Sequence, residues 1–256
     1  MSSHNVDARP AVECRSLTKL FDGIPAVDDV SFTVPAGTVT GFVGANGAGK
    51  TTTMRTILGL VAPTSGEALV AGVPYRQLEA PRHTVGAVLD GPGVHPAQTA
   101  RGHLRILARA AGLPSQRVEE VLELVELGGH ARQRVGTFSL GMRQRLALAA
   151  ALLGDPAILL LDEPVNGLDP PGIRWLRRLL RSLADEGRAV LVSSHLLGEL
   201  AEVADRMVII DRGRLIADAA IHELVDQRTG NLEDVYFQLA GTLADPAAPP
   251  DRGGRR

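Results

Sequence analysis

The sequence predicts an α/β fold: a mostly parallel sheet with helices on both faces, an antiparallel β subdomain at its N-terminal side and an inserted α-helical subdomain. Three observations carry that prediction. The runs "VTGFV" (Val39–Val43), "AILLL" (Ala157–Leu161) and "AVLVS" (Ala189–Ser193) are short and predominantly apolar, without polar alternation. Such runs suit strands buried on both faces of a parallel sheet. Residues Val12–Val34 alternate instead, as antiparallel strands with one solvated face do. From Gln98 to Leu153 the texture turns helical, with breaks at Gly112 and Gly128.

Taken in order, residues 1–10 are polar and read as a flexible tail. The core is expected over 11–222, with the helical subdomain inserted at about 91–153. "VTGFV" runs into glycines and then into the helical "KTTTMRTILGL". The insert offers "TARGHLRILARAAGL", "SQRVEEVLELVEL" and "LGMRQRLALAAALLG" as helices. "RMVIIDRGRLIA" (Arg206–Ala217) reads as a hairpin turning at Asp211–Gly213. A short helical extension is expected over 223–241, its stretch Leu232–Leu239 amphipathic, and a disordered Pro/Gly/Arg tail over 242–256.

The chain has 256 residues, 45% apolar and 22% charged, with a net charge of −2. That balance gives no basic excess, so no nucleic-acid partner is expected. Cys14 is the single cysteine, which rules out an intrachain disulfide. The opening "MSSHNVDARPAVE" has no apolar signal region. No run reaches the ~18 apolar residues of a membrane span, so any service to a membrane must pass through a partner.

Lysine occurs only at Lys19 and Lys50. The second lies in "GANGAGKT", where Gly44, Asn46, Gly47, Ala48, Gly49, Lys50 and Thr51 fit the phosphate-binding pattern G-x-x-x-x-G-K-[ST], with Thr52 beyond. Glycines allow positive φ and let backbone N–H groups approach phosphate oxygens. The following helix turns its positive end to the same anion. Lys50 would reach the β- and γ-phosphates, and Thr51 would offer its hydroxyl to Mg²⁺. "ILLLDEP" ends a strand in two carboxylates at the ligand crevice of an open sheet. Asp162 is expected to hold Mg²⁺ and Glu163 to orient or deprotonate the attacking water. His195 ends the next core strand, within reach of the γ-phosphate. The other histidines have no metal-site spacing.

A second cradle opens at "TFSLGMRQR", where Ser139 is a good N-cap and Gly141 follows. Alone it is a capped helix. In the order phosphate loop, "SLGMRQR", "LLLDEP", "NGLD", "SSH", it resembles the signature motif, LSGGQ, of ATP-binding cassette (ABC) proteins. The resemblance covers about Ala11 to Ala220. It implies a P-loop NTPase core that binds ATP and Mg²⁺ and hydrolyses ATP. It implies a homodimer in the ATP-bound state, with Ser139 and Gly141 on the γ-phosphate bound by the partner subunit. Phe21 matches the aromatic that stacks on adenine, and Asn166–Asp169 the D-loop at the dimer interface. Asp90 stands where the family has a glutamine that binds Mg²⁺ or water and senses the membrane subunit. Two features depart from the family pattern: Leu140 and Met142 replace a glycine and the glutamine of the signature, and Asp90 is shorter and charged.

The resemblance further implies the ATPase subunit of a transporter at the cytoplasmic face of the membrane, most like drug- and antibiotic-export systems. A separate integral-membrane subunit would insert a short helix near Asp90–Arg105. The short C-terminal stretch "NLEDVYFQLAG" resembles exporter cassettes. Soluble ABC ATPases acting on DNA or ribosomes are the alternative. They usually carry a coiled-coil insert or a second cassette, and this sequence has one P-loop and a compact insert. A regulator without turnover would rest only on Leu140, Met142 and Asp90.

Overall fold

The computed structural model describes residues 9–89, 93–195 and 197–226. Asp90, most of the expected N-terminal tail, the extension after Asp226 and the C-terminal tail lie outside the described residues.

Ten residues of alternating burial form β1 (Val12–Phe21), which turns into β2 (Ile24–Val34). β1 pairs antiparallel with β2 on one side and with β4 (Ser65–Val70) on the other. This is the expected antiparallel subdomain. The second sheet has the order β5 (Val85–Val88), β6 (Ile158–Leu161), β7 (Ala189–Ser194), β3 (Val39–Val43), β8 (Arg206–Asp211), β9 (Arg214–Ala220). The first five are parallel and β9 returns antiparallel on β8. The turn between β8 and β9 falls at Arg212–Gly213, both at positive φ.

The helices are α1 (Lys50–Ile57), α2 (Pro81–Thr84), α3 (Ala100–Ala110), α4 (Gln116–Leu124), α5 (Leu140–Leu152), α6 (Pro170–Asp185), α7 (Leu197–Ala201) and α8 (Ile221–Asp226). Thr99 caps α3 by accepting from the Gly102 N–H at 3.0 Å. Asp169 caps α6 by accepting from the Gly172 N–H at 2.9 Å, ahead of Pro170 and Pro171. Proline loses nothing in the first turn of a helix, because the N–H it lacks has no partner there. α6 then buries Trp175, Leu176, Leu179, Leu180 and Leu183 along one stripe. α5 is buried almost all round from Leu146 to Leu152 and packs on β5, α3 and α4.

The pleat of the sheet divides the core in two. Leu159, Leu161, Val190, Val192, Met207 and Ile209 face the cluster built with α3–α6. Ile158, Leu160, Leu191, Val208 and Ile210 face the other, with α1 and the antiparallel subdomain. Phe32 stacks on Phe42 there with ring centroids 5.3 Å apart, joining the two sheets.

Cys14 sits in that second cluster, 2% exposed. Burial pushes its thiol well above the ordinary range, and the neighbouring Glu13 carboxylate adds to the shift. The thiolate is the reactive form. A soluble disulfide reagent such as Ellman's reagent is therefore expected to leave the native protein unmodified and to modify one thiol after denaturant is added. Full modification of the native protein within seconds would contradict this packing.

Candidate functional site

The site lies where β3 ends between β7 and β8, at the carboxyl edge of the parallel strands. Ligand crevices in open α/β sheets form at that edge. All five residues of β3 are buried, so the loop that follows is anchored on rigid backbone.

The loop is shaped by close approach. A Cβ on Gly44 would lie 2.4 Å from the Ile210 carbonyl oxygen. Gly49 has φ +105°, and a Cβ there would lie 2.4 Å from the Ala26 carbonyl oxygen. The buried Ala48 accepts the Gly213 N–H on its carbonyl at 3.0 Å. α1 has no side-chain cap at its N-terminus, so its first-turn N–H groups are left for a ligand. The resulting cleft of about 190 Å³ is lined by Ala26, Ala45, Asn46, Gly47, Gly49, Lys50, Thr51, Thr52 and Glu163.

Lys50 is 6% exposed, and its Nζ donates to the Gly44 carbonyl at 2.6 Å and to Ala45 at 3.3 Å. The same Nζ is 3.5 Å from Glu163 Oε1. That oxygen is buried and accepts no hydrogen bond from the described residues. Glu163 Oε2 is 2.8 Å from His195 Nδ1. The Glu163 backbone sits at φ +48°, a left-handed conformation rare outside glycine, immediately before Pro164. Its carbonyl accepts the Asn166 N–H at 3.2 Å. Asp162, 9% exposed, receives the Thr51 hydroxyl on Oδ2 at 2.6 Å and the Ser193 hydroxyl on Oδ1. The backbone N–H of Asp162 donates to the Val88 carbonyl at 2.7 Å, tying the strand end to β5.

Lys50, Thr51, Asp162, Glu163 and His195 thus stand together. Phe21 does not line the cleft; it is 48% exposed, with Lys19 Nζ 5.0 Å from its ring centroid. Ala26 of β2, which no motif marks, lines it instead. Ser139 and Gly141 are not in the cleft lining. Ser139 caps α5, accepting the Met142 N–H at 3.1 Å. Next to it Leu140 is 60% exposed and packs over Gly167. Asp90 lies outside the described residues. Among those residues, no cluster of three or more His, Cys, Asp or Glu side chains forms a metal site, and no helix is long and apolar enough to cross a membrane.

The Leu140–Gly167 contact gives the departure in the signature a physical partner. A Cβ on Gly167, which has φ +81°, would lie 2.2 Å from Leu140 Cδ2 and 2.4 Å from Cγ. Gly167→Ala is expected to destabilise the fold by about 1–2 kcal/mol, from left-handed strain and this overlap together. Leu140→Ala removes the overlap and leaves the strain. The two substitutions made together should therefore cost less than the sum of their separate costs. Urea unfolding of the four proteins measures this, and strict additivity would show that the contact carries nothing.

Residues 27–166 match the family profile described as ABC transporter. This chain belongs to the ABC transporter family. Among its relatives, the bacitracin transport ATP-binding protein BcrA of Bacillus licheniformis is 40% identical, over 90% of this chain and 75% of that protein. The Nod factor export ATP-binding protein I of Burkholderia lata is 38% identical, over 91% of this chain and 79% of that protein. A solved structure described as an ATP binding subunit of an ABC transporter superposes with a TM-score of 0.81 at 28% identity, covering 90% of this chain and 99% of that one. As an ABC ATPase, this chain binds and hydrolyses ATP to power a membrane transporter.

Proposed function

We propose that this ABC ATPase works at the cytoplasmic face of the membrane, closes as a homodimer on ATP and drives a separate membrane subunit that exports an antibiotic or similar amphiphile. The observation that carries the export reading is the match to the bacitracin and Nod factor proteins along nine-tenths of this chain.

The cleft fits a nucleoside triphosphate. Gly44 and Gly49 leave no room for a Cβ, the N-terminus of α1 has no side-chain cap, and a buried lysine holds only loop carbonyls and a carboxylate. Phosphate oxygens would take Lys50 Nζ away from the Gly44 and Ala45 carbonyls. The Thr51 hydroxyl and Asp162 carboxylate form the hard-oxygen set that Mg²⁺ prefers. Bound there, Mg²⁺ would supply charge neutralisation at the phosphates. Glu163 Oε1, with a free lone pair, would take the proton from water as its oxygen attacks the γ-phosphorus and the bond to the β-phosphate oxygen breaks. His195, at Oε2, would hold the carboxylate in that orientation. Ser139 and Gly141 would close over the partner subunit's nucleotide. Phe21 would stack on adenine, and Asp90 would add a water or Mg²⁺ contact.

The test is a deletion strain complemented with either the wild-type gene or the Glu163→Gln variant. Loss of bacitracin resistance, restored by the wild type alone, supports export. If bacitracin and a panel of peptide and macrolide antibiotics act equally on all strains, the export reading fails.

A further inference from the structure

We infer that Ser193 is a positioning residue that sets both acidic side chains of the ATP site through one hydroxyl. The inference rests on the roles proposed above for Asp162 and Glu163.

Ser193 lies on β7, beside β6, one residue past the pair Leu161–Val192. That register sets its side chain level with the two acids that follow β6. It is fully buried. A serine hydroxyl has one proton to give and two lone pairs. The proton goes to Asp162 Oδ1, and one lone pair receives the Glu163 backbone N–H at 2.9 Å. The first bond leaves Asp162 Oδ2 turned to Thr51. The second anchors the residue whose backbone is held in the left-handed region before a proline. The left-handed φ of Glu163 sets where its carboxylate goes, with Oε1 toward Lys50 and Oε2 toward His195. One hydroxyl therefore fixes which oxygen of Asp162 meets the metal ligand Thr51 and which way the Glu163 side chain leaves the strand. An alanine would leave the partly buried Glu163 N–H without its acceptor and let the Asp162 carboxylate rotate.

The experiment uses the full chain with Ser193→Ala, Ser193→Val and Ser193→Thr. Threonine keeps the hydroxyl; valine has the shape of threonine without it. Alanine and valine are each expected to lower kcat about tenfold, the rate equivalent of one hydrogen bond, with KM for ATP changed by less than about twofold. The free Mg²⁺ needed for half-maximal turnover should rise several-fold. Threonine should restore both. Without nucleotide, amide hydrogen exchange at Glu163 should quicken in the alanine and valine variants and return to the wild-type rate with threonine. A purely packing role predicts instead that valine matches threonine in kcat and in Glu163 exchange, and that result overturns the inference. If alanine fails to fold, the valine–threonine pair decides on its own. A wild-type protein that turns over no ATP overturns the proposed function as well as the inference. A wild type that turns over ATP beside a fully active valine variant overturns only the inference.

Discussion

Glu163→Gln is expected to lower ATP turnover about 10²–10⁴-fold, the usual contribution of a general base, and to leave ATP bound. Glutamine keeps the size of the side chain and removes the capacity to take a proton. It also removes the negative charge 3.5 Å from Lys50 Nζ, so the lysine is freer to meet the γ-phosphate. Binding should therefore hold or tighten while chemistry stops. A closed dimer that waits on hydrolysis to reopen should then accumulate. Light scattering with ATP should show a doubled mass for the variant, and phosphate release should show the lost turnover. Turnover within tenfold of the wild type would place the base elsewhere.

Lys50→Met is the second large effect. Methionine keeps the buried stem and removes the ammonium. Charge-assisted hydrogen bonds to phosphate are worth about 1.5–3 kcal/mol, so ATP should bind about ten- to a hundredfold more weakly. In the free protein the substitution leaves the Gly44 and Ala45 carbonyls without their donor and Glu163 without its cation. Ala45 is exposed and lines the open cleft, so its carbonyl can hydrate, but the Gly44 carbonyl is buried, and losing its donor should lower the unfolding midpoint by a few degrees. Titration with a fluorescent ATP analogue reads the affinity, and a thermal melt reads the stability. An unchanged affinity would show that the loop N–H groups alone hold the phosphates.

Much of this was legible in sequence because its signals are local. The phosphate loop, the acid pair after "ILLL" and the Ser139 cap are each set by neighbouring residues, and the structure has them as strand end, strand end and helix start. The apolar runs 157–161 and 189–193 hold the strands Ile158–Leu161 and Ala189–Ser194, buried on both faces, with Ala157 exposed just ahead of the first. Helix α6 was not anticipated, although Asp169-Pro170-Pro171 is a strong start signal; Asp169 also closes the D-loop match, and one motif masked the other. Strands β4 and β5 were also missed. β4 carries exposed Ser65, Gly66 and Glu67, so its alternation is weak, and β5 is only four residues long. Strand order was out of reach, since periodicity tells which face a residue takes and not which strand lies beside it. The contacts of Ser193 with Asp162 and of Leu140 with Gly167 belong to the same class. Each joins segments about thirty residues apart whose meeting only the folded sheet decides.

The central place of β3 has a consequence in time. Its Val39 N–H donates to Asp205 across 166 positions, and its neighbours on both sides are β7 and β8. At about 5–20 residues per second, a ribosome delivers those partners roughly ten to thirty seconds after β3 itself. Through that interval the nascent chain carries a finished phosphate-loop sequence on an apolar strand with nothing beside it. Nucleotide stabilises only the form it binds, so ATP can contribute nothing until translation has passed Asp211. A chain cut short before β8 should bind no nucleotide, however complete its motifs look on paper.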